Sequence, residues 1–281
     1  MNIQSAIIKG TKILKENYIQ SAQLDTEILL AKAIKKDRKY ILLNDNKNLQ
    51  NKDLIYFEEL IKERASRKPI SYLINKKFFW NFEFFVTSDT LIPRPDTELI
   101  IEQILKITKH RSKMNILDIG VGSGFILLTI LKEKKNFYGT GIDISKKCLN
   151  ISKINAKHLK VEKRTKFYKT DVDKFDQGKY DLIVSNPPYI NKYDLKYLEK
   201  DVVGFEPKLA LDGGLDGLSE IRKVVKKSSE LIKKNGKFVL EIGFNQKNKV
   251  INLLKKEGFY INSTLKDLAN NDRCIVSTKY N

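Results

Sequence analysis

Asn186-Pro187-Pro188-Tyr189 follows the apolar run Tyr180-Asp181-Leu182-Ile183-Val184-Ser185, and its residue types suit one kind of chemistry. An Asn carboxamide oxygen and a main-chain carbonyl each accept a hydrogen bond, so together they can grip both hydrogens of an NH2 group. Such a group, on an amide or an aromatic ring, is a poor nucleophile because its lone pair is delocalised. Gripped in this way, it can be aimed at an electrophile such as the methyl group of a sulfonium donor, S-adenosylmethionine. Two prolines suit the loop, since each fixes φ and lacks an N–H, leaving a stiff backbone that presents carbonyls. Tyr189 offers a flat face beside a planar group. The plainer reading of the same four residues is an Asx-Pro turn after a strand.

A second motif makes the first more specific. Ile116-Leu117-Asp118-Ile119-Gly120-Val121-Gly122-Ser123-Gly124 reads as a strand entering a glycine-rich turn before a helix. Glycines at alternate positions let the main chain approach a ligand where a Cβ would collide. Asp143 closes the next apolar run, at the separation of about 20 residues from which an acidic side chain reaches ribose hydroxyls. The spacing is G-x-G-x-G, so the dinucleotide fingerprint G-x-G-x-x-G is not met and S-adenosylmethionine fits better. Asp118 can bond the amino group of a zwitterionic ligand. Thr170-Asp171-Val172 offers an acidic contact to an adenine amino group and an apolar one to its ring, with a surface turn as the plainer reading of Asp171. The predicted donor set is Asp118, Gly120, Val121, Gly122, Ser123, Gly124, Asp143, Asp171 and Val172, with Asn186 shared with the acceptor.

Positioning these residues takes an ordered framework. Beyond Met114 short apolar runs alternate with amphipathic stretches, which predicts a doubly wound α/β sheet. Strands are expected at Asn115–Ile119, Phe137–Ile142, Thr165–Tyr168, Tyr180–Val184 and Lys237–Ile242, then at Tyr260–Thr264 and Arg273–Thr278 as a closing antiparallel hairpin. Helices are expected at Phe125–Lys134, Lys146–His158, Leu218–Lys233 and Gln246–Glu257. The first ~75 residues have helical apolar spacing and predict a small bundle. The aromatic stretch Phe78–Val86, with Asn81 at its centre, predicts a hairpin or bridging ribbon. After Leu91-Ile92-Pro93-Arg94-Pro95, Asp96 or Thr97 is placed to cap a helix over Glu98–Ile107.

The bulk composition narrows the class. Cys148 and Cys274 lack metal-ligand spacing, and only His110 and His158 are available as imidazoles, so no metal site and no His-based catalysis is expected. No apolar run reaches membrane-spanning length and no signal peptide is visible, which predicts a soluble cytoplasmic protein without a membrane anchor. The formal net charge of +19 is spread along the chain, and it fits compositional drift as well as attraction to an RNA-containing or acidic partner.

At these residues the chain resembles the class I S-adenosylmethionine-dependent methyltransferases, and more narrowly the release-factor glutamine N5-methyltransferases (the HemK/PrmC family). The resemblance runs nearly end to end. It includes Arg67–Leu73, Leu91–Glu98, Asp118–Gly124, Asp143, Asn186–Tyr189, Phe205-Glu206-Pro207 and Leu209–Gly214, with Leu91–Glu98 the most family-specific. It implies a Rossmann-like methyltransferase domain with a seven-stranded, mostly parallel sheet over 93–281. Ahead of it come a helical substrate-recognition domain over 1–75 and a β-hairpin linker over 76–92.

The implied reaction is methylation of the side-chain amide of the glutamine in the Gly-Gly-Gln loop of peptide chain release factors, leaving S-adenosylhomocysteine. Asn186, Pro188 and Tyr189 would serve the chemistry; Asn186, Pro187, Pro188, Tyr189 and Arg94 would hold the substrate, though Arg94 also fits an inter-domain contact or an exposed turn. A monomer suffices, and nucleic acid is not required for the transfer. Val121, where many relatives have Thr, and Val172, where some have an aromatic residue, bear on donor affinity. Two rivals use the same tetrapeptide: adenine N6-methylation of nucleic acid, and glutamine methylation of a ribosomal protein.

Overall fold

A computed structural model describes residues 1–280. In chain order the first helices are α1 (Ile3–Glu16), α2 (Ala22–Ala33), α3 (Arg38–Leu43), α4 (Asn51–Ala65) and α5 (Ile70–Ile74). A hairpin of β1 (Lys76–Phe79) and β2 (Phe82–Phe85) follows, then a tight helical turn at Pro95–Thr97 and α6 (Glu98–Ile107). Next come β3 (Asn115–Ile119), α7 (Phe125–Glu133), β4 (Tyr138–Asp143), α8 (Lys146–His158), β5 (Thr165–Lys169) and β6 (Tyr180–Ser185). The chain closes with α9 (Lys200–Phe205), α10 (Ser219–Leu231), β7 (Ile232–Glu241), α11 (Lys247–Lys256), β8 (Phe259–Lys266) and β9 (Asp272–Lys279).

Contacts divide the chain into two units: Met1–Lys76 with Glu199–Phe205, and Lys77–Leu198 with the chain from Glu206 onward. In the first, α1 buries Ile3, Ala6, Gly10 and Leu14, a spacing that puts all four on one helical face. Its first turn is capped by Asn2, whose side chain accepts from the Ser5 N–H at 2.8 Å. A Cβ on Gly10 would lie 2.7 Å from Thr26 Cγ2 and 3.0 Å from Phe57, so the bare backbone lets α1 pack closely on α2 and α4. Arg64 is buried, with Asp25 at 2.7 Å and Asp201 at 2.8 Å. It thereby fixes α4 to α2 and to the returning segment α9.

In the second unit a seven-stranded sheet runs in the order β5-β4-β3-β6-β7-β9-β8, with only the pairs made by β9 antiparallel. Its central strands read as unbroken apolar runs because both faces are covered. Ile116, Leu182, Val184 and Val239 face α6, α7 and α8, while Leu117, Ile183, Phe238 and Leu240 face α10 and α11. Helix α7 lies deepest, buried without interruption from Phe125 to Leu131, hence its apolar composition all round. The hairpin turns at Trp80–Asn81, with Trp80 rather than Asn81 at positive φ (56°). Phe79 and Phe84 sit in the core beside α7, Phe79 edge-on to Phe125 with ring centres 4.9 Å apart, whereas Phe78 is exposed.

At the head of α6 the structure differs from expectation. Neither Asp96 nor Thr97 makes a side-chain cap bond. The two prolines drive the segment into a tight turn instead, and Thr97 is drawn inward.

Removing one partner of a buried ion pair leaves an uncompensated charge, typically at a cost of about 3–5 kcal/mol. Arg64→Met is therefore expected to lower unfolding free energy by about 3 kcal/mol or more, seen as a lower urea midpoint with unchanged far-ultraviolet dichroism.

Candidate active site

Strand order reverses at β3: the chain proceeds from it to β4 and β5 on one side, then returns to place β6 on the other. Ligands of open α/β sheets bind at such a switch point, outside the carboxyl ends of the strands. The register sets Ile119 opposite Ser185, so Gly120 and Asn186 leave the sheet side by side. A cavity of about 310 Å³ opens there. Its wall includes Gly120, Val121, Gly122, Asp143, Asp171, Val172, Asn186, Pro187 and Pro188. The two motifs thus converge on one hollow.

The glycine turn is shaped by its backbone. Gly120, Gly122 and Gly124 have φ of +77°, +57° and +84°, the left-handed region that side chains disfavour. No protein atom lies within 4 Å of where a Cβ on Gly120 would stand, so glycine there keeps space open. Asp143 ties the turn to β4: its Oδ2 accepts from the Gly122 N–H at 2.9 Å and its Oδ1 from the Ser145 N–H at 2.8 Å. Asp171 accepts from the Asp173 N–H at 3.2 Å, and Val172 is buried beside it.

Asp118, Ser123 and Gly124 do not line the cavity. Asp118 lies beneath it, 1% exposed, with Oδ2 accepting from the Leu127 N–H at 3.2 Å and Oδ1 left without a partner. Burial is the main reason its pKa is pushed up to about 7, against the pull of the Leu127 N–H. The Ser123 hydroxyl is likewise buried and unpaired. An orphaned carboxylate oxygen under a glycine turn that keeps space open suits a ligand with an ammonium group.

The acceptor motif is fixed from behind. Gln246 Nε2 donates to the Tyr189 carbonyl at 2.9 Å and to the Gly217 carbonyl at 3.0 Å. A Cβ on Gly217 would meet the Tyr189 carbonyl at 2.6 Å, so only glycine lets the two loops lie this close. Tyr189 itself does not line the cavity; its hydroxyl reaches Glu241 and Arg273, each at 3.4 Å. Asn186 Nδ2 donates to the Thr97 hydroxyl at 3.5 Å.

Arg94 is also outside the cavity wall and pairs with buried Glu206, whose other oxygen accepts from the Ile92 N–H at 3.2 Å. That clamp ties the chain next to Leu91 to the chain next to Pro207, and both of these residues line the cavity. Sequence reasoning missed Asp89, Leu91, Leu209 and Ala210 in the wall, Thr97 against Asn186, and Glu241 and Arg273 at the Tyr189 hydroxyl. Asp89 and the Leu91 segment come from a loop distant in sequence, and Glu241 ends a strand with no motif around it. The Leu91–Glu98 and Phe205–Gly214 stretches carried a signal, through the resemblance, but it did not single out these residues. Among the described residues no three His, Cys, Asp or Glu side chains converge as a metal site, and no helix is long and apolar enough to cross a membrane.

Comparison with known proteins bears on the family and the fold. The family model of the PrmC N-terminal domain matches residues 5–74, and that of the methyltransferase small domain matches residues 95–203. The chain is 36% identical to a release factor glutamine methyltransferase of Clostridium acetobutylicum, over 99% of each chain. It is 37% identical to one of Buchnera aphidicola subsp. Acyrthosiphon pisum, over 100% of this chain and 99% of that one. A methyltransferase of Pyrococcus furiosus shares the fold with a TM-score of 0.54 at 17% identity, over 72% of this chain and 91% of that one. A ribosomal protein L11 methylase of Lactobacillus delbrueckii subsp. bulgaricus does so with a TM-score of 0.50 at 16% identity, over 67% and 81%. At these identities the last two speak for the fold alone.

The buried Asp118 sets a pH dependence. Its folded pKa lies above the unfolded value, so its contribution to stability is fully present below about pH 4 and is lost as pH rises through about 7. Asp118→Asn removes this dependence. Relative to the parent protein, the variant should gain stability by a few kcal/mol, at about 1.4 kcal/mol per pKa unit, between pH 5 and pH 8 in chemical denaturation.

Proposed function

The chain belongs to the release factor glutamine methyltransferase family, and from that premise we propose how its cavity transfers a methyl group to a glutamine side chain. The acceptor is the glutamine of the Gly-Gly-Gln loop in a peptide chain release factor, so the enzyme modulates translation termination. The observation that carries this reading is the shared wall: the Asn186-Pro187-Pro188 loop and the glycine turn border the same cavity.

S-adenosylmethionine, when bound, supplies the methyl group on a positively charged sulfur. The Gly120–Gly124 turn would cradle the donor with Gly120, Val121 and Gly122 against it, Asp118 beneath the turn would draw its ammonium group by charge, and Asp143 would accept from ribose hydroxyls. Asp171 and Val172 border the base. Asn186 Oδ1 and the Pro187 or Pro188 carbonyl each accept one N–H of the glutamine amide, so the nitrogen faces the methyl group. Positioning and electrostatics of this kind supply the rate. The nitrogen becomes more acidic as it is methylated, and its proton leaves to water without a dedicated base.

Tyr189 walls the acceptor slot, and Arg94 shapes it through Glu206 rather than by direct contact. We place the helical domain at 1–75, the linker at 76–92 and the catalytic domain at 93–281, in a monomeric cytoplasmic enzyme that requires neither metal nor nucleic acid for the transfer.

Asn186→Ala should lower methyl transfer to a release factor by about a hundredfold or more while S-adenosylhomocysteine affinity, measured calorimetrically, stays within about threefold. Labelled donor with release factor, ribosomal protein or DNA, followed by mass spectrometry, identifies the acceptor. Preferential methylation of DNA or of a ribosomal protein would overturn the reading, as would undiminished turnover by the variant.

A further inference from the structure

Helix α8 borders the donor cavity at its head, with Ser145 and Cys148 in the wall. One and two turns further on it carries two fully buried polar side chains that do not line the cavity, Ser152 and Asn155. Both types are poor choices for the middle of a helix, because they compete for its backbone hydrogen bonds. Their buried neighbours Leu149, Ile151 and Ala156 are apolar. A buried helical hydroxyl commonly bonds back to the carbonyl four residues earlier, as Thr26 and Thr108 do. Ser152 instead donates to the Gly122 carbonyl at 2.7 Å.

Asn155 has every polar group engaged. Its Oδ1 accepts from the Phe85 N–H at 2.7 Å, and its Nδ2 donates to the Phe85 carbonyl at 3.0 Å and to the Ser123 carbonyl at 2.8 Å. A carboxamide has one accepting oxygen and two N–H groups, so this side chain is matched to two pieces of backbone at once. One is the last residue of β2, where it supplies the pair of bonds a further strand would give. The other is the glycine turn.

The turn is therefore held from two sides: Asp143 takes the Gly122 N–H at 2.9 Å, and α8 takes the carbonyls of Gly122 and Ser123. A Cβ on Gly124 would stand 3.3 Å from the Ser152 hydroxyl and 2.7 Å from Leu128, so glycine there lets α8 come this close. Glycine-rich backbone has much conformational freedom to lose, and a turn already fixed in its binding shape spares the ligand that cost.

We propose that Ser152 and Asn155 are positioning residues for the donor, which pin the glycine turn to α8 and, through the Phe85 bonds of Asn155, couple donor occupancy to the aromatic hairpin. This rests on the reading of the glycine turn as the donor cradle.

Calorimetric titration of S-adenosylhomocysteine into the full-length protein reads the pinning. If loss of one pin leaves the turn in its binding shape about a tenth of the time, apparent affinity falls about tenfold, and this is expected of S152A and of N155A. At saturating donor, kcat on a release factor should stay within about threefold, so that the loss sits in affinity and in the KM for donor. Hydrogen exchange reads the coupling in the parent protein without any substitution. S-adenosylhomocysteine at about 100 times its Kd should slow the Phe85 amide by about tenfold or more. The slowing should exceed that of the amides of α11, on the opposite face of the sheet, and the excess should vanish in N155A.

Unchanged affinity in either variant overturns the proposal, as does a kcat loss as large as the affinity loss. So does a Phe85 amide slowed no more than those of α11, or an excess that survives N155A. Should N155A fail to fold, S152A and the exchange of the parent protein decide. A parent protein without affinity for S-adenosylhomocysteine overturns the donor reading itself and this proposal with it, whereas intact donor binding in the variants overturns the proposal alone.

Discussion

The register between β3 and β6 is the constraint on which the site depends. Ser185 stands opposite Ile119, and the Ser185 hydroxyl donates to the Ile119 carbonyl at 2.7 Å inside the sheet. Everything beyond that pair leaves the sheet at the same height: the glycine turn from one strand, the Asn-Pro-Pro loop from the other. A slip of one residue would send each side chain to the opposite face, putting Leu117 and Ile183 among the residues around α7 and their neighbours on the far side. The two apolar layers, each filled by alternate residues of the same strands, hold the register against that slip.

Around this fixed pair the walls are loops held by polar contacts. Gln246 holds the Tyr189 carbonyl, Glu206 holds Arg94 and the Ile92 N–H, and Asp143 holds the glycine turn. Each is a side chain of one loop or strand end satisfying a group of another. Satisfaction of this kind rigidifies a site because each buried polar group has a costly alternative. Among the carboxylates, Asp118 and Glu241 are exceptions. Each is deeply buried with one oxygen unpaired, and unpaired buried carboxylates cost stability that a packed core must offset.

Much of this was legible from residues alone. The helices over Glu98–Ile107 and Lys146–His158 and the strand over Asn115–Ile119 have the predicted bounds, because glycines, prolines and Ser145 punctuate them sharply. The parallel direction of the central strands was legible from their alternation with helices and the antiparallel closing pair from the lack of one, whereas the order of strands in the sheet was not. Helices α3 and α5 escaped notice because six and five residues are too few to show a period. Strand β7 starts at Ile232 rather than Lys237, since Lys233, Lys234, Asn235 and Gly236 look like a loop and give no strand signal. At Tyr189 a ring after two prolines suggests a flat face beside a planar group, but nothing in the sequence shows that its hydroxyl is directed to Glu241 and Arg273. Thr97, Glu241 and Arg273 come from three separate stretches of sequence, and only the fold brings the first to Asn186 and the other two to Tyr189.

The allegiance of α9 has a consequence for how the protein is made. The partner that completes the Arg64 cluster, Asp201, lies 137 residues downstream. During vectorial synthesis the amino-terminal bundle therefore emerges with Asp25 as the one carboxylate of this cluster beside Arg64. It gains its last piece only after the glycine turn, the central strands and the Asn-Pro-Pro loop have left the ribosome. The bundle is thus begun first yet cannot be finished before most of the catalytic half has been translated.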